Sequence, residues 1–331
     1  MTLILNDIHV GTNRGAGTTP ASAAALKQFT LNNLAQFMAG TEEDVIIVGD
    51  TFDAWQVPLT DVLKTYEIFK EFLGRGHRLV IQAANHDLST DSTKLGSLQF
   101  LMELLKGYTN LQFVISEGAW VGKDMYCVPH VRNQDVFEME LAKVPECEVL
   151  FLHANLDNGF AAQSDNSLNV SREQLEELPA KLVYFGHEHH ARKFGKAFVG
   201  GVQWPTSVSD CLDKKDKFAY RLTGTELIPI KTWDSSDFTD MPWNAITETS
   251  AKFIRISGTA KPEEATAATE AVANLRRTSQ AFVITNAVQV GTDEELQKAS
   301  LQSLEAVQAF DVMAALKEVL TTEEYAVIEK L

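Results

Sequence analysis

DVIIVGDTFDAW, residues 44–55, decides how the rest of the chain is read. Val45 to Val48 form a short apolar run of the kind that fills a buried strand, and the run stops at Gly49-Asp50. In open α/β sheets, ligand-binding groups collect at the carboxyl ends of the strands. Working outward, the same pattern recurs. TLILND (2–7) is an apolar strand entering Asp7-Ile8-His9, and HRLVIQAANHD (77–87) enters Asn85-His86-Asp87. A strand at 148–153 ends in His153, and one at 181–185 runs into Gly186-His187-Glu188-His189. Further strands are expected at 112–115 and 125–128. Between them, 21–40 carries Leu26, Phe29, Leu31, Leu34 and Phe37 at spacings that fit an amphipathic helix. Residues 63–73 and 98–106 also read as helical. Strands alternating with helices argue for an α/β sandwich.

The bulk composition agrees. At 331 residues, the chain suits one large domain with an accessory part. Hydrophobic content of 45% and charged content of 22% are ordinary for a globular protein. No apolar stretch approaches the length of a membrane span, and MTLILNDIHV lacks the basic flank of a signal peptide, so a cytoplasmic chain with no membrane partner is expected. Cys127, Cys147 and Cys211 are scattered and odd in number, which fits reduced thiols and makes cysteine a poor candidate ligand. The net charge of −16 weighs against unaided nucleic-acid binding, because phosphates are neutralised by Lys and Arg.

Near residue 235 the texture changes. WDSSDFTDMPWN (233–244) is polar and reads as a linker. Residues 252–258, 262–277 and 280–290 then read as strand, helix, strand. From Asp293 onward apolar residues recur at helical spacing, with a second short helix from Thr322. The expected organisation is 1–235, a catalytic domain; 236–292, a small α/β unit; and 293–331, C-terminal helices.

The polar segments carry the chemistry. Carboxylate, amide and imidazole donors suit Mn, Fe or Zn more than Mg or Ca. Two divalent ions about 3.5–4 Å apart can clamp a phosphate and acidify a water. Such a site needs a carboxylate between the ions and about three further ligands on each, and these segments supply that count. Each segment alone is weak, and His153 alone would more often be a structural histidine. The five in this order form a specific pattern. Five of the eight histidines fall in them; His77 and His130 read as structural or surface residues, and His190 as a neighbour of the ligands or as substrate-facing.

At this point the sequence, over roughly residues 1–220, resembles the calcineurin-like metallophosphoesterases. The resemblance implies a double-ψ two-sheet α/β sandwich flanked by helices. It implies that Asp7, His9 and His189 hold one metal and Asn85, His153 and His187 the other, with Asp50 between them. It assigns His86 to the scissile phosphate or leaving oxygen, and Asp53 to orienting a ligand. Asp87 is either a turn acid or a partner of His86. Ala84 stands where the family usually has glycine; close packing explains this more simply than a strained backbone.

Within the family, GDTFDAWQVP followed by AANHD, and FVGGVQWPTSVSDCLDKKDKFAY after GHEHH, are similar to the SbcD-type nucleases. That resemblance implies a manganese-dependent 3′–5′ exonuclease and structure-specific endonuclease acting on DNA ends in repair or recombination. Its 236–292 unit would be a DNA cap, and its C-terminal helices would bind an SbcC-type coiled-coil ATPase. It also suggests a homodimer through helices near 60–72 and 93–106. From Ser236 onward eight Lys and Arg stand against fifteen Asp and Glu, so the cap is not basic and the ATPase is expected to supply much of the DNA affinity. The alternative is a metallophosphoesterase on a small substrate, a nucleotide or cyclic-nucleotide phosphodiesterase. Hydrolases of UDP-linked sugar lipids share GDTFDAW but carry arginine in place of His86. A non-catalytic scaffold would be expected to have lost ligands, and none is missing.

Overall fold

The structure is a computed structural model that describes residues 1–12, 19–89, 94–131, 133–159 and 167–291. The expected C-terminal helices at 293–331 lie outside the described residues.

Two six-stranded mixed sheets form the first compact unit. The first contains β1 (Thr2–Leu5), β2 (Asp44–Val48), β3 (Leu79–Gln82), β4 (Leu111–Val114), β13 (Lys217–Thr223) and β14 (Glu226–Trp233), in the order β14-β13-β1-β2-β3-β4. Strands β1 to β4 are parallel, and β13 and β14 close the edge antiparallel. The second contains β5 (Ala119–Trp120), β6 (Met125–Val128), β7 (Cys147–His153), β10 (Ala180–Gly186), β11 (Arg192–Phe194) and β12 (Ala197–Val199), in the order β11-β12-β10-β7-β6-β5. The short strands β8 (Asn155–Leu156) and β9 (Asn169–Val170) pair with each other.

The period of two along each strand explains the layering. Ile4, Ile46, Val48 and Val80 share one core with Val149, Phe151, Leu182 and Tyr184 of the second sheet. The alternate residues Leu3, Leu5, Val45, Ile47, Leu79 and Ile81 share another core with α1 (Pro20–Gly40), α2 (Leu59–Gly74) and α3 (Ser97–Leu105). On the far side, Leu150, Leu152, Val183 and Phe185 pack with residues of α4 (Gln134–Leu141) and α5 (Arg172–Glu177). Central strands buried on both faces read as continuous apolar runs, and this is why 44–48 and 148–152 stand out in sequence. Each fully buried Val, Leu or Ile contributes roughly 1.5–3 kcal/mol. The helix expected at 21–40 begins at Pro20 behind an N-cap at Thr19, whose side chain accepts from Ser22 N at 3.2 Å.

The linker expected at 233–244 is corrected: Trp233 is buried at the end of β14, and Phe238–Pro242 forms β15. That stretch reads as polar because half-buried Thr239 and Asp240 lie between buried Phe238 and Met241, so no period of two is visible. β15 joins β16 (Phe253–Ala260) and β17 (Val283–Val290) in a three-stranded sheet, with α6 (Ala265–Thr278) between the last two in sequence. By compactness the chain divides into Met1–Asp240, Glu248–Arg255 and Thr278–Thr285 as one unit, and Met241–Thr247, Ile256–Arg277 and the residues from Asn286 as a second. Every candidate ligand lies in the first.

Candidate metal centre

Asp7, His9, Asp50, Asn85, His153 and His187 all stand at or just beyond the carboxyl ends of β1, β2, β3, β7 and β10. Neighbouring backbone bonds fasten the first two loops together. Asp7 N donates to Gly49 O at 3.2 Å, His9 N to Asp50 O at 2.9 Å and Val10 N to Thr51 O at 3.0 Å. Asp7, His9, Asp50 and His187 all take positive φ, 50°, 53°, 45° and 90°. Non-glycine residues rarely occupy that region, and several together mark a place where the surroundings over-determine the backbone. Gly49 (φ 82°) has no alternative, since a Cβ there would overlap the His153 ring and come 2.7 Å from Ala84 Cβ. Ala84 is fully buried and is not among the positive-φ residues, so its small size answers to packing against Gly49.

Two groups of side chains could each hold a cation: Asp7, His9 and His189, and Asp50, His153 and His187. Within each, the donor atoms lie within 4.8 Å of one another. His9 Nε2 and His189 Nε2 face each other at 3.2 Å. Asp50 joins the two groups, with Oδ2 3.9 Å from His9 Nε2 and 3.4 Å from His153 Nε2. His86 N donates to the other oxygen, Asp50 Oδ1, at 3.2 Å, which brings the Asn85-His86 turn against the centre.

The donor set fits two divalent cations. His153 Nε2 and Asn85 Oδ1 are buried without a hydrogen-bond partner, which is costly unless something else occupies them. The ligand rings are also held from behind, as metal-ligating histidines require. His153 Nδ1 lies 3.0 Å from Val48 O, and His189 Nδ1 lies 2.7 Å from Asp210 Oδ1. Behind His9, Nδ1 lies 3.3 Å from Asp53 Oδ1 without hydrogen-bond geometry, a looser support than the other two rings have.

Electrostatics agree. Burial alone would raise the Asp50 carboxyl, but the imidazoles of His153, His9 and His86 outweigh it and hold the group well below the ordinary carboxylate range. Burial would lower the His153 imidazole, yet Asp50, with Asp7 and the Val48 carbonyl, carries it up to about 9. Protons and cations therefore compete for this site.

The histidine expected to face the phosphate, His86, is part-buried. Its Nδ1 lies 2.7 Å from the Asp53 carbonyl and its ring stands edge-on to His9 at 5.2 Å. Asp87, left open between two roles, does not hold that ring. Its carboxylate accepts from the backbone N–H groups of Phe52 (3.0 Å), Ala84 (3.1 Å) and Thr51 (3.4 Å), bracing the β2 and β3 loops. Burial and then repulsion from Asp50 push it up to about 8, against those N–H donors.

Two residues, Asp210 and Asn6, escape sequence reasoning. Asp210, buried on the 209–211 turn, also accepts from Thr206 N and Ser207 N. Burial opposes its ionisation, but His189 and these donors hold it well below the usual range. Asn6 donates to Asp7 Oδ2 at 2.7 Å and to Gly201 O, and accepts from Tyr184 Oη at 2.7 Å. His130, expected to be structural or on the surface, is 8% exposed; burial, then the neighbouring His153, push it down to about 4. Glu188, inside the histidine pair, caps Leu156 N and binds Arg192.

Residues 2–191 match the family model of the calcineurin-like phosphoesterases. The chain belongs to that family. Among solved structures, this phosphoesterase is similar to a protein of unknown function from Aquifex aeolicus, with 16% identity over 54% of this chain and 92% of that one and a TM-score of 0.28. It is also similar to a metallophosphoesterase from Sphaerobacter thermophilus, with 12% identity over 69% and 86% and a TM-score of 0.31. A search of curated proteins gave no match. Among the described residues, no helix of the phosphoesterase is long and apolar enough to cross a membrane.

Proposed function

We propose that the chain is a metal-dependent phosphodiesterase that uses two divalent cations, manganese first among them, to hydrolyse a nucleotide-type phosphodiester. The observation that carries this is Asp50 Oδ2 standing between His9 Nε2 and His153 Nε2, one from each side-chain group. Asp7, His9 and His189 would hold one cation, and Asn85, His153 and His187 the other, with Asp50 shared. When bound, the two cations supply Lewis acidity to a phosphate oxygen and acidify the attacking water. The protein's own groups do the rest. Val48 O and Asp210 fix the His153 and His189 imidazoles by hydrogen bonds, so these donors need little reorganisation when charge develops, and the Asp53 carboxylate lies behind His9. Asp53 O orients His86 through Nδ1, leaving Nε2 to contact the phosphate or pass a proton to the leaving oxygen.

A finer reading is a DNA-end nuclease working as the catalytic subunit of a complex with an SbcC-type ATPase. It is favoured by one observation: beyond the family match at 2–191, the chain adds a strand–helix–strand module, β16, α6 and β17. The deciding experiment compares manganese-dependent hydrolysis of bis(p-nitrophenyl) phosphate, cyclic nucleotides and end-labelled duplex DNA, with His86→Ala as control. Small-ester turnover without DNA cleavage, with or without a coiled-coil ATPase, would overturn the finer reading. Turnover of none of the three, in a chain carrying both metals, would overturn the phosphodiesterase itself.

A further inference from the structure

The two histidines at the end of the GHEHH run each face an aspartate, the first by a hydrogen bond and the second by a longer ion-pair contact, and only the first belongs to a metal-holding group. His189 Nδ1 lies 2.7 Å from Asp210 Oδ1, and His190 Nδ1 lies 3.4 Å from Asp213 Oδ2. Both aspartates come from one short segment, three residues apart. Asp213 is itself anchored. Lys217 Nζ lies 3.0 Å and 3.1 Å from its two oxygens, and that lysine is only 5% exposed. Lys215 N adds a bond to Asp213 Oδ1 at 3.3 Å.

The backbone beneath His190 is fixed as well. Val202 N donates to His189 O at 3.1 Å. Gly201, at φ 68°, lets the chain pass so close that a Cβ there would lie 2.7 Å from Ala191 N and 3.0 Å from His189 O. Yet the His190 side chain is 50% exposed. Fixing an exposed side chain costs rotamer entropy that no burial returns, and an exposed ion pair contributes little stability. A buried lysine and a carboxylate spent on orienting a half-exposed imidazole make sense if the imidazole has a ligand. Lys214 and Lys215, both exposed, sit on the turn that Asp213 organises, and Lys214 holds a left-handed φ of 54°. In a chain of net charge −16, these two lysines are exposed cationic donors, on a segment that also carries Asp210, Asp213 and Asp216.

We propose that His190, facing Asp213 on the turn that carries Lys214 and Lys215, is a substrate-binding residue that contacts a second anionic group, next to the scissile phosphate. The inference rests on the phosphodiesterase reading and sharpens it: the substrate carries a further phosphate beyond the one cleaved. His190 here is a binding residue and takes no proton in the reaction.

The test uses the full chain with manganese and three dinucleotides: TpT, with one phosphate, and its 5′-phosphorylated and 3′-phosphorylated forms. The wild type is expected to favour one of the doubly phosphorylated forms through KM. His190→Ala should raise that KM about tenfold, in keeping with one lost charge-assisted hydrogen bond. It should leave TpT turnover and bound manganese unchanged. Asp213→Asn should give a smaller rise, and His190→Arg should restore most of the preference. A His190→Ala variant that slows TpT and the phosphorylated forms equally, or slows neither, would overturn the proposal. Anisotropy with fluorescein-labelled pTpT, in calcium, reads the contact without turnover. Equal affinity for wild type and His190→Ala overturns the contact even where hydrolysis is seen. A wild type that cleaves none of the three yet binds more tightly than the variant instead removes the phosphodiesterase reading and keeps the contact.

Discussion

At the scale of single residues, the candidate metal-holding side chains that the fold gathers were legible in the sequence and the groups behind them were not. A strand that ends in Asp, Asn-His or Gly-His-x-His announces donors because the apolar run fixes where the chain is buried. Asp210 and Asn6 carry no such mark, since they come to His189 and Asp7 from elsewhere in the fold or by side-chain direction alone. Their roles give sharp expectations. Asp210→Asn should weaken cation binding by about 10–100-fold, read by calorimetric titration with manganese, because a ring-orienting carboxylate is lost. His86→Ala should keep its metals, counted by elemental analysis, and lose about 10²–10⁴ in kcat. The His153 imidazole also sets a pH dependence. Its value in the metal-free fold, about 9, lies above that of the unfolded chain. Its contribution to stability is therefore fully present below about pH 6.5 and is lost as pH rises through about 9. Thermal melts of the metal-free chain should show falling stability across that window, while manganese stabilises more strongly as the competing proton leaves.

At the scale of elements, the parallel strands and long helices were legible because buried strands are continuous apolar runs and the surface helices carry one apolar face. The short strands β5, β8, β9, β11 and β12 were not, since two or three residues leave no period to read. β15 was hidden because its two buried residues, Phe238 and Met241, stand three apart and show no period of two. The β2–β3 pair is the element on which the centre depends most. Gly49, Ala84, Asp87 and the backbone of Phe52 meet there without spare volume. Gly49→Ala should therefore be severely destabilising, on the order of 3 kcal/mol or more from left-handed strain and overpacking together. A urea melt checks it, and an unchanged midpoint would show that the loop relaxes. Asp87→Ala strands three backbone donors and should cost roughly 2–4 kcal/mol by the same measurement.

At the scale of the whole molecule, the sequence conveys the two-sheet class and a further module after it, whereas the boundary between them is set by packing that composition does not report. Phe253 and Val283 lie in the strands of the added module, yet they pack into the core of the first unit. The net charge of −16 also belongs to this scale. Phosphate contacts that release many counterions give a steep loss of binding with salt. If phosphate is met mainly at the site and at His190, kcat/KM on an oligonucleotide should fall shallowly between low and physiological salt, with a log–log slope nearer −2 than −8 (about two phosphate contacts). In the proposed phosphodiesterase one carboxylate, Asp50, unites two cation sites. The most direct test counts manganese per chain and follows bis(p-nitrophenyl) phosphate hydrolysis on the same samples, for wild type and Asp50→Asn. The wild type should bind two ions and show metal-dependent turnover, and both should be sharply reduced in the variant. A wild type that binds a single ion at saturation, or an Asp50→Asn chain that keeps two ions and full turnover, would contradict it.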